Sequence, residues 1–308
     1  MIGEGSDASW LANGWQGELE MQTISRRQFL GGSAMDVAAA GYLSGGALQL
    51  RADPLGIPIG CQVFPVRLQL VQDFDGTVRD IYAAGYRVIE FCSPPGFVTM
   101  DMAPLVGMKA SEIRQKVEAA GLRTVSCHYQ FKELKENVDD RIAFAKELGL
   151  DHMIVATYSV PRDGTMDDWR RAAEETNKLG EKTRKAGMQL GYHNHGFEFR
   201  QIGGELIFDE LMKRWDRKLV KSQFQVSDAV SLGFDPAAIL TKYPGRFLSL
   251  HLQDWSAATK RAAPVGQGSI DWKQVFTAAK KGGIKYYFVE MNMEALKASY
   301  PYLHALKV

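Results

Sequence analysis

Short apolar runs alternate with longer amphipathic segments eight times from residue 57 onward. Runs such as Gln189–His193 and Phe247–Leu252 have the length of buried strands, whereas the segments between them have the period of helices. Parallel strands need a crossover connection, usually a helix, so this alternation predicts a parallel α/β sheet. Eight strand–helix units over roughly 250 residues predict one (β/α)8 TIM barrel.

A doubly wound open sheet is the alternative architecture. Such sheets usually carry Gly-x-Gly-x-x-Gly after the first strand, but this chain reads Gly-Cys-Gln-Val-Phe-Pro from Gly60. The sequence shows no low-complexity segment and no internal break that would indicate a second domain. We therefore predict a single barrel domain over residues 53–308, preceded by a separate segment over residues 1–52.

The segment before the barrel resembles an export signal. Arg26 and Arg27 precede a small and apolar tract from Gly31 to Leu50, which is the order of a twin-arginine signal. The tract contains Asp36 and is too short and weakly apolar to predict a stable membrane span. A helical or unstructured extension with a chance arginine pair is the alternative.

The twin-arginine hypothesis has two consequences. Such a signal usually starts a few residues before the arginines, so we expect Met21 rather than Met1 to be the initiator. Cleavage near Ala52 would then release the barrel into the periplasm, and a cytoplasmic protein is the alternative.

Composition limits the classes of partner. The net charge is +1 and the isoelectric point is about 7.7, so no strong field for nucleic acid or an anionic membrane is predicted. Cys61, Cys92 and Cys127 are odd in number and lie in apolar runs without Cys-x-x-Cys spacing. We expect them to be buried free thiols.

Polar side chains stand where the predicted strands end, and barrel enzymes build their sites there. Burying imidazoles and carboxylates is unfavourable unless they have partners or a task. Four of the six histidines lie at such ends. The predicted mouth residues are Gln62, Glu90, His128, Tyr158, His193, His195, Ser227, Asp228, His251, Asp254 and Glu290.

A set of motifs also carries a family resemblance. They include Gly-Tyr-Arg-Val-Ile-Glu-Phe at Gly85, Asp235-Pro236, Leu-His-Leu-Gln-Asp at Leu250 and Phe-Val-Glu at Phe288. The set resembles the xylose-isomerase-like barrel superfamily of sugar phosphate isomerases and epimerases over roughly residues 55–300. The resemblance implies one divalent metal ion at the barrel mouth, held by side chains from strands five to eight.

The resemblance assigns the metal ligands position by position. His251 matches the seventh-strand ligand and Glu290 the eighth, whereas His193 stands where the fifth strand usually has glutamate. Simple alignment puts Ser227 on the sixth-strand position, with Asp228 one residue beyond it. Adjacent strand residues face opposite sides, so only one of the two can face the ion. We predict the ligand set His193, Asp228, His251 and Glu290.

Two imidazoles with carboxylates suit Mn²⁺ first among the ions considered, with Co²⁺, Fe²⁺ or Zn²⁺ also compatible and Mg²⁺ less so. The family's lysine in His-Leu-Lys-Asp is replaced by Gln253. Asn194 and Asp254 stand beside two of these ligands and are candidates to orient the imidazoles, with a loop cap as the alternative for Asp254.

Isomerisation of a sugar needs a base that removes a proton next to a carbonyl and an electrophile that stabilises the enediolate. Related epimerases use two metal-bound glutamates, and His193 in place of one argues against that symmetric shuttle. Glu290 is the predicted base, with Glu198, His195 or His128 serving the other face of the substrate. Glu198 is also the nearest counterpart of a glutamate that holds sugar hydroxyls in relatives.

Five further residues are predicted to contact the substrate: Gln62, Glu90, His128, Tyr158 and Trp255. Two alternatives stay open. Glu90 and His128 would be a hydrogen-bonded pair inside the barrel, and the aromatic residues would belong to the packing of the rim.

Four functional hypotheses follow. The first is a metal-dependent isomerase or epimerase of an unphosphorylated sugar. The second is a lyase or hydratase that acts on a keto-sugar, keto-cyclitol or 3-keto-glycoside. The third is a non-catalytic carbohydrate-binding barrel. Each of these proteins could form a homo-oligomer. The fourth, an apurinic endonuclease, is disfavoured because it needs a basic DNA-binding face.

Overall fold

A closed barrel of eight parallel strands forms the centre of the molecule. The computed structural model describes residues 53–308, so the predicted export signal in residues 1–52 lies outside the described residues. The strands are β1 Gly60–Gln62, β2 Val88–Cys92, β3 Arg123–Tyr129, β4 His152–Val155, β5 Gln189–His193, β6 Val220–Gln225, β7 Phe247–Leu252 and β8 Tyr286–Val289. They pair in chain order, and β8 pairs with β1 to close the ring. The predicted (β/α)8 barrel is confirmed.

Helices surround this barrel. They are α1 Arg67–Gln72, α2 Phe74–Ala83, α3 Ala110–Ala119, α4 Phe131–Leu148, α5 Met166–Lys185, α6 Ile207–Arg214, α7 Val226–Ser231, α8 Pro236–Lys242, α9 Trp272–Gly282 and α10 Met293–Ala305. Short 3₁₀ helices at Pro54–Gly56, Phe64–Val66, Pro94–Met100, Ala103–Leu105 and Gly196–Phe199 interrupt the connections. Two hairpins, Gln201–Ile202 with Glu205–Leu206 and Asp254–Ser256 with Arg261–Ala263, follow β5 and β7.

The main apolar core lies between the strands and the helices. A separate apolar cluster of Val88, Val125 and Phe288 is also fully or almost fully buried. The Phe288 ring lies 6.0 Å from the His251 ring, so this cluster forms a floor beside the polar residues of the site. Gly60 makes room for it, because a Cβ there would lie 2.6 Å from the Phe288 ring.

Most predicted elements are present. The spacing of Thr165 and Asp168 predicts a capping box, which is confirmed at the start of α5. The sequence also predicts that Ser111 caps a helix, and this is wrong: α3 starts at Ala110, and the backbone N–H of Ser111 donates to Glu147 of α4 at 3.3 Å. The apolar pattern predicts that the next helix starts at Asp139, but α4 begins at Phe131, because its start has no side-chain cap that the sequence could show.

The three cysteines are buried free thiols, as predicted. Burial raises the pKa of each thiol. Within residues 53–308, no helix has both the length and the apolar character needed to cross a membrane.

Candidate active site

Three histidines from different strands meet at the carboxyl-terminal end of the barrel. His128 and His251 are the penultimate residues of β3 and β7, and His193 is the last residue of β5. The His193 ring centroid lies 4.5 Å from that of His251 and 5.0 Å from that of His128. One potential ligand atom from each histidine lies within 4.8 Å of the others. The predicted convergence of these histidines is confirmed.

Glu90 of β2 is the hydrogen-bonding centre beneath the histidines. It is fully buried, and its Oε1 accepts from Ser126 Oγ at 2.6 Å and from Gln223 Nε2 at 2.7 Å. Its Oε2 lies 2.6 Å from His251 Nε2 and 2.9 Å from His128 Nε2. Both oxygens are therefore occupied by protein groups. The pair of Glu90 with His128 inside the barrel, expected as the alternative, is present, and a contact of Glu90 with substrate stays a prediction.

Charge explains how these buried groups coexist. Burial opposes ionisation of Glu90, but the charge interactions with His128 and His251 outweigh it and lower the pKa of Glu90. Burial likewise opposes a charge on His251, but Glu90 and Glu290 outweigh it and raise the pKa of His251 to about 9. Without a metal ion, His251 is therefore an imidazolium between two carboxylates at neutral pH.

This pKa predicts a pH dependence of stability in protein stripped of metal. A raised pKa means that the folded state binds the proton more tightly, so the contribution of His251 is complete below pH 6.5 and lost as pH rises through about 9. Chemical denaturation should show the free energy of unfolding falling by up to about 3 kcal/mol over this window, relative to His251→Asn. A constant difference between the two proteins from pH 6 to 9.5 would contradict the assignment.

Gln225 joins His251 and Glu290 at the mouth, and the sequence analysis did not single it out. Gln225 Nε2 donates to Glu290 Oε2 at 2.7 Å, and His251 Nδ1 lies 3.1 Å from the same oxygen. The backbone N–H of Gln225 donates to Asn194 Oδ1 at 3.0 Å, which ties the end of β6 to the turn after β5. Gln225 Oε1 is buried and has no partner among the described residues.

His193 is 3% exposed, and its Nδ1 is buried without a hydrogen-bond partner among the described residues. Burial lowers the pKa of His193 well below its usual range, and the nearby His251, His195 and His128 lower it further. His193 is therefore a neutral imidazole with an unused nitrogen, which is the state that a metal ligand requires.

His195 and Asp228 lie beside the group formed by His193, His251 and Glu290. The His195 ring lies 4.8 Å from the His193 ring, and burial lowers the pKa of His195 to about 4, so the imidazole is neutral. Asp228 accepts a backbone hydrogen bond from Gly196. Burial and the negative charge of Glu290 raise the pKa of Asp228 to about 7, so this carboxyl group can carry a proton at neutral pH.

The sixth-strand position needs a correction. Strand β6 ends at Gln225, and Ser227 and Asp228 lie in helix α7, so neither is on the strand that the alignment assumed. Ser227 Oγ donates to Gln253 Oε1 at 3.0 Å instead of facing the histidines. Because side chains alternate along a strand, Gln223 and Gln225 share the inward face. Gln225 therefore lies on the inward face at the end of β6, and Asp228 as a metal ligand stays a prediction.

Gln62 does not join the cluster. It is fully buried at the end of β1, where its Oε1 accepts from the backbone N–H of Phe64 and its Nε2 lies 3.3 Å from Cys92 Sγ. Its polar atoms hold the first loop, and its contact with substrate stays a prediction.

Tyr158 is 4% exposed and packs behind the barrel. Its hydroxyl bonds Thr176 at 2.7 Å and accepts from Trp215 Nε1 at 2.9 Å, and its ring lies 4.2 Å from that of Tyr192. Tyr158 therefore belongs to the aromatic packing that was expected as the alternative, and its contact with substrate stays a prediction.

Trp255 is half-buried in the hairpin after β7, and its contact with substrate stays a prediction.

Asp254 organises the loop after β7. It accepts from the backbone N–H groups of Trp255, Gly266 and Ile270 and from Trp272 Nε1, at 2.8 to 3.2 Å. The loop-cap alternative is therefore confirmed.

The inward polar residues of β6 had a signal in the sequence that the prediction did not use. Ser-Gln-Phe-Gln at Ser222–Gln225 places two amides two residues apart in a strand, which puts both on one face. Strand alternation alone would have placed Gln223 and Gln225 on the same face of β6.

Comparison with known proteins agrees with this architecture. The model of the xylose isomerase-like TIM barrel family matches residues 78–306. Inosose dehydratase from Lacticaseibacillus casei is 30% identical over 161 residues, which are 46% of this chain and 53% of that protein. The chain thus spans about half the length of this curated relative. Inosose dehydratase from Geobacillus thermodenitrificans is 23% identical over 249 residues, 69% of this chain and 83% of that protein.

Two solved structures show the same fold. A sugar phosphate isomerase/epimerase from Parabacteroides distasonis superposes with a TM-score of 0.69 and 26% identity, covering 87% of this chain and 98% of that one. The IolI protein with a bound zinc atom has a TM-score of 0.60 at 14% identity, covering 80% and 96%, which shows the fold alone. The closed barrel and the family match together show that the chain belongs to the xylose isomerase-like TIM barrel family.

Proposed function

We propose that this protein is a metal-dependent lyase that removes water or an alcohol from a keto-sugar or keto-cyclitol. The observation that carries the proposal is the asymmetry of the mouth. Among His193, Gln225, His251 and Glu290, only Glu290 is a carboxylate. A symmetric proton shuttle uses two equivalent bases, whereas an elimination needs one base and one different proton donor.

The donor set fits a divalent ion. His193 Nδ1 and Gln225 Oε1 are buried lone-pair atoms without partners among the described residues. Glu90 binds His251 Nε2, which leaves His251 Nδ1 beside Glu290 Oε2 as a further donor. The side chains that would hold the ion are His193, Gln225, His251 and Glu290. Imidazole, amide and carboxylate donors suit Mn²⁺, Fe²⁺, Co²⁺ or Zn²⁺ better than Mg²⁺.

Changing Gln225 to glutamate should have opposite effects with and without metal. The new carboxylate would stand near Glu290 Oε2, which now accepts from Gln225 at 2.7 Å. Repulsion should lower the free energy of unfolding of metal-free protein by roughly 1–3 kcal/mol, whereas affinity for Mn²⁺ or Zn²⁺ should rise about tenfold. Thermal unfolding and calorimetric titration measure both. Gln274→Glu is the control because Gln274 is exposed on α9, and an unchanged metal affinity in Gln225→Glu would argue against Gln225 as a ligand.

Residues of the chain itself would handle the protons. When bound, the ion would polarise the substrate carbonyl. Burial opposes ionisation of Glu290, but His251 outweighs it and lowers the pKa of Glu290, so this group is a carboxylate. Its Oε2 accepts from Gln225, which leaves Oε1 to take the proton from the carbon next to the carbonyl.

The electrons of that C–H bond would form the new double bond, and the C–O bond at the next carbon would break. Asp228, whose raised pKa is about 7, would give its proton to the departing oxygen. The leaving group is then water or an alcohol. His195 Nδ1, which has no partner among the described residues, would accept a hydrogen bond from a substrate hydroxyl.

The relatives support this reaction class. Several matched proteins are named inosose dehydratases, and the IolI structure holds zinc. If the protein is exported as the sequence predicts, its substrate would be unphosphorylated, because sugar phosphates are mainly cytoplasmic.

Isomerisation or epimerisation is the second candidate function. It is favoured by the 26% identity to the Parabacteroides sugar phosphate isomerase/epimerase over 87% of the chain. The same Glu290 would remove the proton. A second group would return a proton to the neighbouring carbon in an isomerisation, or to the opposite face of the same carbon in an epimerisation.

The test uses metal-loaded protein with inosose and, separately, with ketoses in D₂O. Elimination predicts loss of one water and a new ultraviolet absorbance from the conjugated ketone. Deuterium entering a ketose without loss of water would instead support the isomerase. A protein that binds sugar but neither retains metal nor exchanges protons would support the non-catalytic barrel.

A further inference from the structure

Glu198 lies in the turn that follows β5, next to the site but outside the group of proposed metal ligands. The chain leaves His193, passes His195 and enters the 3₁₀ helix Gly196–Phe199. Glu198 is fully buried. A substrate hydroxyl cannot reach a side chain with no exposed surface unless this turn opens.

Both carboxyl oxygens of Glu198 are already bound. Oε2 accepts from the backbone N–H of His195 at 2.8 Å, and Oε1 accepts from the hydroxyl of Tyr192. Tyr192 precedes His193 on β5, so its side chain lies on the opposite, helix-facing side of the strand. Glu198 therefore joins the back of the strand to the backbone of the turn.

Tyr192 is held firmly on that side. Its ring lies 4.2 Å from the Tyr158 ring and 5.2 Å from the Trp215 ring, and Trp215 donates to the Tyr158 hydroxyl. Glu198 is thus anchored to a fully or almost fully buried aromatic group. Burial raises the pKa of Glu198 to about 8, which suits a carboxyl group that acts through neutral hydrogen bonds.

The other end of the turn is the His195 imidazole. Its ring stacks on Phe197 with centroids 5.1 Å apart and lies 4.8 Å from the His193 ring. The His195 Nδ1 is buried without a partner among the described residues, so no direct bond at this atom fixes the ring. The backbone hydrogen bond to Glu198 Oε2 holds the main chain from which this ring projects.

We infer that Glu198 is a positioning residue that acts through His195, and that it does not bind the substrate. It connects the buried Tyr192 to the His195 backbone and thereby holds the imidazole beside His193. Only one part of this inference rests on the proposed function, namely that His195 takes part in catalysis. The connection itself is independent of which reaction the protein performs.

The direct test is nuclear magnetic resonance of ¹⁵N-histidine-labelled full-length protein, which has six histidines. Glu198→Ala should shift the His195 ring signals, whereas Glu198→Gln should leave them near their wild-type positions because an amide can keep both contacts. Tyr192→Phe, which removes one donor, should give a smaller shift of the same signals. Glu133→Ala removes another buried carboxylate, between Ser93 and Arg141, and should leave the His195 signals in place.

Kinetics on inosose or the active ketose then separates the two roles. Glu198→Ala should lower kcat/KM about tenfold, and the double variant with His195→Ala should be no slower than His195→Ala alone. Glu198→Gln should recover most of the activity. Additive losses, or a raised KM in Glu198→Gln, would show that Glu198 binds substrate and overturn the inference.

The two proposals can fail separately. An unmoved His195 signal in Glu198→Ala overturns the positioning role even if elimination is observed. A protein that does not eliminate water, but whose His195 signals move as expected, overturns the proposed reaction and leaves the positioning role standing.

Discussion

Replacing Glu290 with glutamine should lower kcat by about a thousandfold or more. Glutamine keeps the size of the side chain but cannot accept the substrate proton, and general-base catalysis contributes roughly 10²–10⁴ in rate. The change also weakens the proposed metal site, since Glu290 Oε2 lies 3.1 Å from His251 Nδ1 and accepts from Gln225.

Steady-state kinetics at saturating metal separates the loss of the base from loss of the ion. Glu294→Gln is a matched control, because Glu294 lies four residues further along, is exposed on α10 and should leave kcat unchanged. Glu290→Gln with kcat within tenfold of the wild type would exclude Glu290 as the base.

Replacing Glu90 with glutamine should weaken metal binding without changing any proposed ligand. Glu90 Oε2 lies 2.6 Å from His251 Nε2 and fixes that imidazole so that Nδ1 faces Glu290. Losing such an orienting carboxylate typically lowers metal affinity by about 10–100-fold. The amide also mismatches the donors Ser126 and Gln223, so the free energy of unfolding should fall by about 1–3 kcal/mol.

Calorimetric titration with Zn²⁺ and Mn²⁺ measures the affinity, and chemical denaturation measures the stability. Glu133→Gln is the matched control, because Glu133 is also buried but bonds Ser93 and Arg141 instead of the histidines. It should lose stability and keep metal affinity. An unchanged affinity in Glu90→Gln would mean that His251 is held by other contacts.

The barrel was predictable because its signal is local. The period of the apolar residues within each segment indicates whether it forms a strand or a helix, and eight strand–helix units are compatible with few architectures. The capping box at Thr165 is likewise contained in four residues and was read correctly. The start of α4 was missed because Gln130 offers no side-chain cap there.

The sequence predicted which residues lie near the candidate site better than it predicted their contacts. His193, His251 and Glu290 stand at strand ends, and strand ends of a barrel converge whatever the loops do. The aromatic Tyr158 stands equally near a strand end, yet it packs against Trp215 on the helix side. Proximity to a strand end does not say which way a side chain turns once the strand has ended.

The sequence by itself determined that this protein is a barrel whose histidines and Glu290 share one mouth. Only the tertiary structure decided that Gln225 donates to Glu290, and that Glu90 pairs with His251 across 161 residues of chain. The reason is physical. Periodicity is a property of neighbouring residues, whereas the residue at which a strand stops and the partner that satisfies a buried carboxylate depend on every strand around it.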